Sequence, residues 1–116
     1  MRMTRRRLLT LGTVGAVSAA FGTLPSRAQQ AGRLHEIEIR NFTFRPARLE
    51  VRPGDTVRWT NRDRATHDAT AIDGSWRTVT LRRGDSAEVV IRAGMGSEYI
   101  CSIHPQMRAS LNIVGA

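Results

Sequence analysis

The chain has 116 residues, room for one domain, and a formal charge of +8. Much of that charge sits ahead of a predicted cleavage point: residues 29–116 keep 13 arginines against 10 acidic residues, a net of about +3. Those arginines alternate with apolar residues instead of forming a basic stripe, which excludes a nucleic-acid binder, and the single cysteine, Cys101, excludes an internal disulfide.

Residues 1–28 read as a signal peptide. Arg2, Arg5, Arg6 and Arg7 form a basic head, Leu8 to Phe21 is apolar, and Ser26-Arg27-Ala28 offers the small-x-small pattern of a cleavage site. The apolar stretch is rich in small residues and shorter than the ~20 residues needed to span a bilayer, so no stable membrane insertion is expected. Thr4-Arg5-Arg6-Arg7-Leu8-Leu9 resembles the twin-arginine export signal, with Leu8 at a place often held by Phe. That resemblance implies a domain that folds before it is exported.

Beyond the signal, a period of two dominates. His35-Glu36-Ile37-Glu38-Ile39-Arg40 alternates polar with apolar, as a half-buried strand should. His35 is expected to be solvated on an edge-like strand. Leu49-Glu50-Val51, Thr56-Val57-Arg58-Trp59-Thr60, Val79-Thr80-Leu81, Ala87-Glu88-Val89-Val90-Ile91 and Leu111-Asn112-Ile113 follow the same pattern. Arg52-Pro53-Gly54-Asp55, Asp73-Gly74 and Arg82-Arg83-Gly84-Asp85 supply turns between them. Short strands at regular spacing predict an all-β domain over residues 29–116, a Greek-key β-sandwich of about seven to eight strands. Trp59 and Trp76 are assigned to packing.

The chemistry concentrates in Cys101-Ser102-Ile103-His104-Pro105-Gln106-Met107, which places a thiol, an imidazole and a thioether in one short segment. Tyr99-Ile100 lead in as strand, so these residues fall on a loop at one end of the sandwich. A second imidazole, His67, follows the end of the strand at Trp59-Thr60. If those ends are adjacent, His67, Cys101, His104 and Met107 converge as two nitrogens, one strong sulfur and one weak sulfur. A His2Cys plane with a distant Met describes the type 1 copper site. Structural zinc sites gather more cysteines and do not recruit Met. A bound metal would also protect a lone thiol in an oxidising compartment.

Residues 34–114 resemble the cupredoxins, the blue copper proteins. Phe42-Thr43-Phe44-Arg45-Pro46, Leu49-x-Val51-x-Pro53-Gly54-Asp55-Thr56-Val57-x-Trp59-x-Asn61-x-Asp63 and His67 are similar to the family's N-terminal half, and Tyr99-x-Cys101-x-x-His104-Pro105-x-Met107 to its ligand loop. The two-residue gaps on both sides of His104 are most similar to amicyanin; plastocyanin and azurin have longer loops. The resemblance implies one copper ion held by His67, Cys101 and His104, with Met107 as weak axial ligand and His104 as the electron port. Thr66 and Asp68 depart from the Pro and Asn frequent on either side of the first histidine. The backbone N–H of Asp68 is still expected to reach the Cys101 sulfur, and its carboxylate to favour Cu(II). Gly94-Met95-Gly96-Ser97 lacks the family's usual Pro-Gly.

The expectation is therefore a monomeric periplasmic protein that shuttles single electrons between Cu(I) and Cu(II), and not an enzyme. Its partners would be redox proteins of the periplasm, a dehydrogenase as donor and a c-type cytochrome as acceptor. Arg62, Arg64 and Arg108 flank the ligands and predict acidic docking faces on those partners. The alternative with the same ligands is a periplasmic copper carrier or buffer with little electron traffic. A small binding module with a vestigial site is a third reading. A nucleophilic enzyme using Cys101 with His67 or His104 lacks an oxyanion cradle near the thiol.

Overall fold

A computed structural model describes residues 32–115; the predicted signal segment, residues 1–28, lies outside the described residues. Among the described residues eight strands follow in order: β1 (Leu34–Arg40), β2 (Thr43–Arg45), β3 (Arg48–Val51), β4 (Thr56–Asn61), β5 (Thr70–Ala71), β6 (Ser86–Val90), β7 (Glu98–Ile100) and β8 (Arg108–Ile113). They form two four-stranded sheets, ordered β2-β1-β4-β6 and β3-β8-β7-β5. This is the expected all-β sandwich, and the number of strands agrees.

Alternation explains why the sheets face each other. Ile37 and Ile39 of β1 and Val57 and Trp59 of β4 point inward and are buried, while Glu36, Arg58 and Glu88 form ion pairs on the outer face. Val51, Tyr99 and Leu111 supply the opposing layer. Trp59 stacks on Trp76 with centroids 5.4 Å apart, and its indole N–H donates to the Tyr99 hydroxyl at 3.3 Å. Both tryptophans are packing residues, as expected. Truncating one that is wholly buried, such as Trp59, typically costs about 3–5 kcal/mol.

Three local expectations are corrected. His35 is half-buried instead of solvated: β2 pairs only with Glu38–Arg40, so the side of the strand away from β4 is open at His35 as expected, but the His35 ring meets Asp55 at 2.8 Å. Val79-Thr80-Leu81 is not a strand. There the Thr78 hydroxyl, in place of a backbone carbonyl, accepts the Ala69 N–H at 3.1 Å, Val79 is 70% exposed, and only Leu81 keeps a bridge, to His67. The last strand begins at Arg108 instead of Leu111, so it starts immediately after Met107. The turn at Gly94 is closed without Pro-Gly: the Trp76 indole donates to the Gly96 carbonyl at 2.8 Å, and the Gly96 N–H to Ser75.

The topology brings four segments to one pole. These are the β1–β2 turn, the loop after β4, the turn before β6 and the β7–β8 loop. Every residue singled out for metal binding lies on two of them.

Candidate metal centre

Cys101 follows β7 directly and is buried as a free thiol. Its sulfur lies 3.7 Å from Nδ1 of His67 and 3.8 Å from Nδ1 of His104. The ligating atoms of the three residues fall within 4.8 Å of one another. Metal bonds of about 2.0 Å to nitrogen and 2.3 Å to sulfur would separate N from S by about 3.7 Å at a 120° angle, and by about 3.5 Å at a tetrahedral one. The observed spacing is that of ligands able to share one metal ion. With one thiol and two imidazoles, the donor set fits copper.

His67 is held from both sides. Its backbone exchanges hydrogen bonds with Leu81: the His67 N–H donates to the Leu81 carbonyl at 3.0 Å, and the Leu81 N–H donates back at 2.7 Å. Its Nε2 lies 2.9 Å from the Asp63 carboxylate. Burial works to raise the Asp63 carboxyl, but the N–H groups of Phe42 and Asn41 and the His67 ring hold it below the ordinary carboxylate value. A carboxylate only accepts, so Nε2 carries the proton and the lone pair of Nδ1 faces Cys101.

The β7–β8 loop is closed by its own backbone. The Cys101 N–H donates to the Met107 carbonyl at 3.2 Å, and the Met107 N–H to the His104 carbonyl at 2.9 Å. Met107 is buried and His104 half-buried. Asp68 ties this loop to the His67 segment. Its N–H reaches the Cys101 sulfur at 3.5 Å, as expected, and its buried carboxylate accepts the Ser102 N–H at 2.7 Å and the Ser102 hydroxyl.

Phe42 completes the pole. Its ring meets both imidazoles edge-on, with centroids 4.9 Å from His67 and 4.9 Å from His104, and remains 43% exposed. Asn41 and Phe42 have φ of 55° and 59°, the left-handed region that side chains seldom adopt. The Asp63 carboxylate accepts both of their N–H groups, at 2.7 and 2.9 Å. Sequence reading missed Phe42 and Asp63 as site residues. The one signal available was the placement of Asp63 four residues before His67.

No protein-family model matches this chain. A purple cupredoxin from Nitrosopumilus maritimus superposes with a TM-score of 0.61 at 29% identity, covering 68% of this chain and 98% of that one. The domain has the cupredoxin fold. An oxidised amicyanin variant matches its fold at a TM-score of 0.62 and 22% identity, over 69% of this chain and 81% of that one. The copper-containing nitrite reductase of Thermus scotoductus matches at 0.63 and 27% identity, over 71% of this chain but 22% of the enzyme. Among curated proteins, the methylamine utilization protein MauL of Methylophilus methylotrophus is 27% identical over 114 residues. That match takes in 94% of this chain and 66% of MauL, so the chain spans just under two thirds of its relative's length.

Proposed function

We propose that His67, Cys101 and His104, with Met107 as a weaker fourth ligand, would hold one copper ion, and that the protein carries single electrons between redox partners in the periplasm. The observation that carries this reading is the spacing of two Nδ1 atoms at 3.7 and 3.8 Å from one buried thiol. Bound copper would supply a one-electron Cu(I)/Cu(II) couple. The chain's own part is to keep the ligands fixed, so that little rearrangement accompanies each transfer. Asp63 orients His67, Asp68 fixes the loop through Ser102, and the Leu81 bridge anchors the backbone between them. Cys101 supplies the thiolate. His104 is the ligand nearest the surface and so the port for the electron.

In this reading residues 1–28 are a cleaved signal of twin-arginine type and residues 29–116 work as a monomer without enzymatic activity of their own. The likeness to a methylamine utilization protein supports a dehydrogenase as electron donor; a c-type cytochrome is proposed as acceptor. Burial of His67, Cys101 and Met107 favours a shuttle over a copper carrier, because a carrier needs ligands within reach of a competing site.

The test is to add Cu(II) to the metal-free protein and record a visible spectrum, then measure electron self-exchange. One equivalent should produce an intense sulfur-to-copper band, abolished in Cys101→Ser, with fast exchange. A metal-binding protein with no such band, or one that exchanges slowly and loses copper readily to a chelator, would overturn the shuttle.

A further inference from the structure

Beside the metal centre, three arginines from three segments line one cavity of about 270 Å³. Arg40 ends β1, Arg62 follows β4, and Arg83 lies in the turn before β6; Asn61 and Gly84 complete the walls. The frame beneath is fixed by backbone hydrogen bonds. The Gly84 N–H donates to the Asn61 carbonyl at 2.6 Å, the Asn61 N–H to the Asp85 carbonyl at 3.0 Å, and the Arg62 N–H to the Ile39 carbonyl at 2.8 Å. The Asn61 side chain also donates to the carbonyls of Ala65 and Leu81, which ties the cavity to the segment bearing His67.

Positive charge here is under-compensated. Glu38 serves both Arg40, at 3.1 Å, and Arg62, at 3.7 Å. Arg83 makes no ion pair among the described residues, and the one carboxylate in its turn, Asp85, turns to the Arg82 N–H and pairs with no arginine side chain. Exposed Arg64, Arg82 and Arg108 extend the basic field around the pole. Guanidinium groups in this setting match a carboxylate by paired, charge-assisted hydrogen bonds.

We infer that the cavity between Arg40, Arg62 and Arg83 receives a carboxylate from an acidic face of the redox partner, and that this off-centre contact sets the partner's orientation over His104. The inference rests on the electron-shuttle reading and deepens it. Position is what ties the cavity to electron traffic. Arg40 leads directly into Asn41 and Phe42, whose ring touches His104, and Arg62 precedes Asp63, which bonds His67. A partner anchored on the arginines therefore lies beside the port. The side chains of Arg40 and Arg62 are 50% and 52% exposed, so a small free anion would keep most of its competing water. A protein face covers the cavity and excludes that water, which strengthens the same contacts.

The test uses the full copper-loaded chain and a c-type cytochrome of net negative charge. Electron-transfer rates by stopped flow, and binding by NMR titration, are compared for wild type, Arg83→Glu and Arg92→Glu. Arg92 sits at the opposite pole, after β6, and makes the same change in net charge. Arg83→Glu should slow the cytochrome reaction about tenfold or more at low salt, and weaken binding in parallel. The two rates should converge at high salt, and Arg92→Glu should change them less than about twofold. Equal effects from the two variants would overturn the docking site in favour of general charge steering. Hexacyanoferrate, a small anionic oxidant, provides a third arm: slowing with it alone would mean an anion site and would also overturn the docking face. If the protein takes up no copper, the shuttle reading fails; the NMR arm then decides the docking site by itself.

Discussion

The carboxylate of Asp63 lies 2.9 Å from Nε2 of His67 and at the same time accepts the N–H groups of Asn41 and Phe42. One side chain thus sets the tautomer of an imidazole and holds the turn whose aromatic ring packs against both imidazoles. Asp63→Ala should weaken copper binding about 10- to 100-fold, the usual effect of removing a partner that orients a metal-bound histidine. Competition with a chelator of known affinity checks this. An unchanged affinity would show that the Leu81 bridge alone is enough to position His67.

Asp68 acts on the other ligand segment. Its buried carboxylate takes the N–H and hydroxyl of Ser102, the residue after Cys101, and accepts the Thr70 hydroxyl at 3.2 Å. Negative charge at this place favours the more positive Cu(II). Asp68→Asn keeps the shape and an acceptor for Ser102 but removes the charge, so the reduction potential should rise. A change of roughly 1 kcal/mol corresponds to about 40 mV for one electron. Voltammetry showing an unchanged or lowered potential would remove this role.

How far the sequence carried depends on whether a relation was local. The approach of Cys101 to His104 was legible because both lie in one loop, and the burial of Trp59 and Ile37 because alternation marks an inward face. His35 was misjudged for the opposite reason. Alternation says which side a residue faces, but not that the His35 ring finds the Asp55 carboxylate, which comes from the turn before β4. The failed strand at Val79 turned on one hydroxyl, that of Thr78, replacing a carbonyl. The Arg40, Arg62 and Arg83 cavity is made by the β1–β4–β6 order, which no local pattern encodes.

The far end of the sandwich holds a second carboxylate hub. Asp55 accepts the N–H groups of Arg33 and Arg52, at 2.9 and 3.0 Å, and meets His35 at 2.8 Å. Burial works to raise its carboxyl, but these three contacts together leave it below the ordinary carboxylate value. A folded-state value below the unfolded one contributes stability that is fully present above the unfolded value and lost as pH falls through the folded one. Stability in urea should therefore decline below about pH 4, and this decline should be shallower in Asp55→Asn. At neutral pH, Asp55→Ala should cost about 1 kcal/mol, because two part-buried backbone donors lose a charged acceptor. Equal acid slopes for wild type and Asp55→Asn would assign the acid limb to other carboxylates.

Phe42 separates two effects that usually travel together, backbone strain and side-chain contact. Its φ of 59° is costly for any residue with a Cβ, by roughly 1–2 kcal/mol, and free for glycine. Its ring, by contrast, contributes through edge-on contact with His67 and His104. Phe42→Ala keeps the strain and loses the ring; Phe42→Gly loses both. The glycine variant should therefore unfold about 1 kcal/mol less readily than the alanine variant in denaturant, less a few tenths for the added freedom of the unfolded chain. Both should release copper to a chelator faster than wild type and at similar rates, since the metal ligands respond to the missing ring and not to the relieved backbone. If alanine equals glycine in stability, the turn has relaxed out of the left-handed region once the ring is gone. In that case the ring, packed against both imidazoles, is what holds the backbone there, and the hydrogen bonds to Asp63 follow from it.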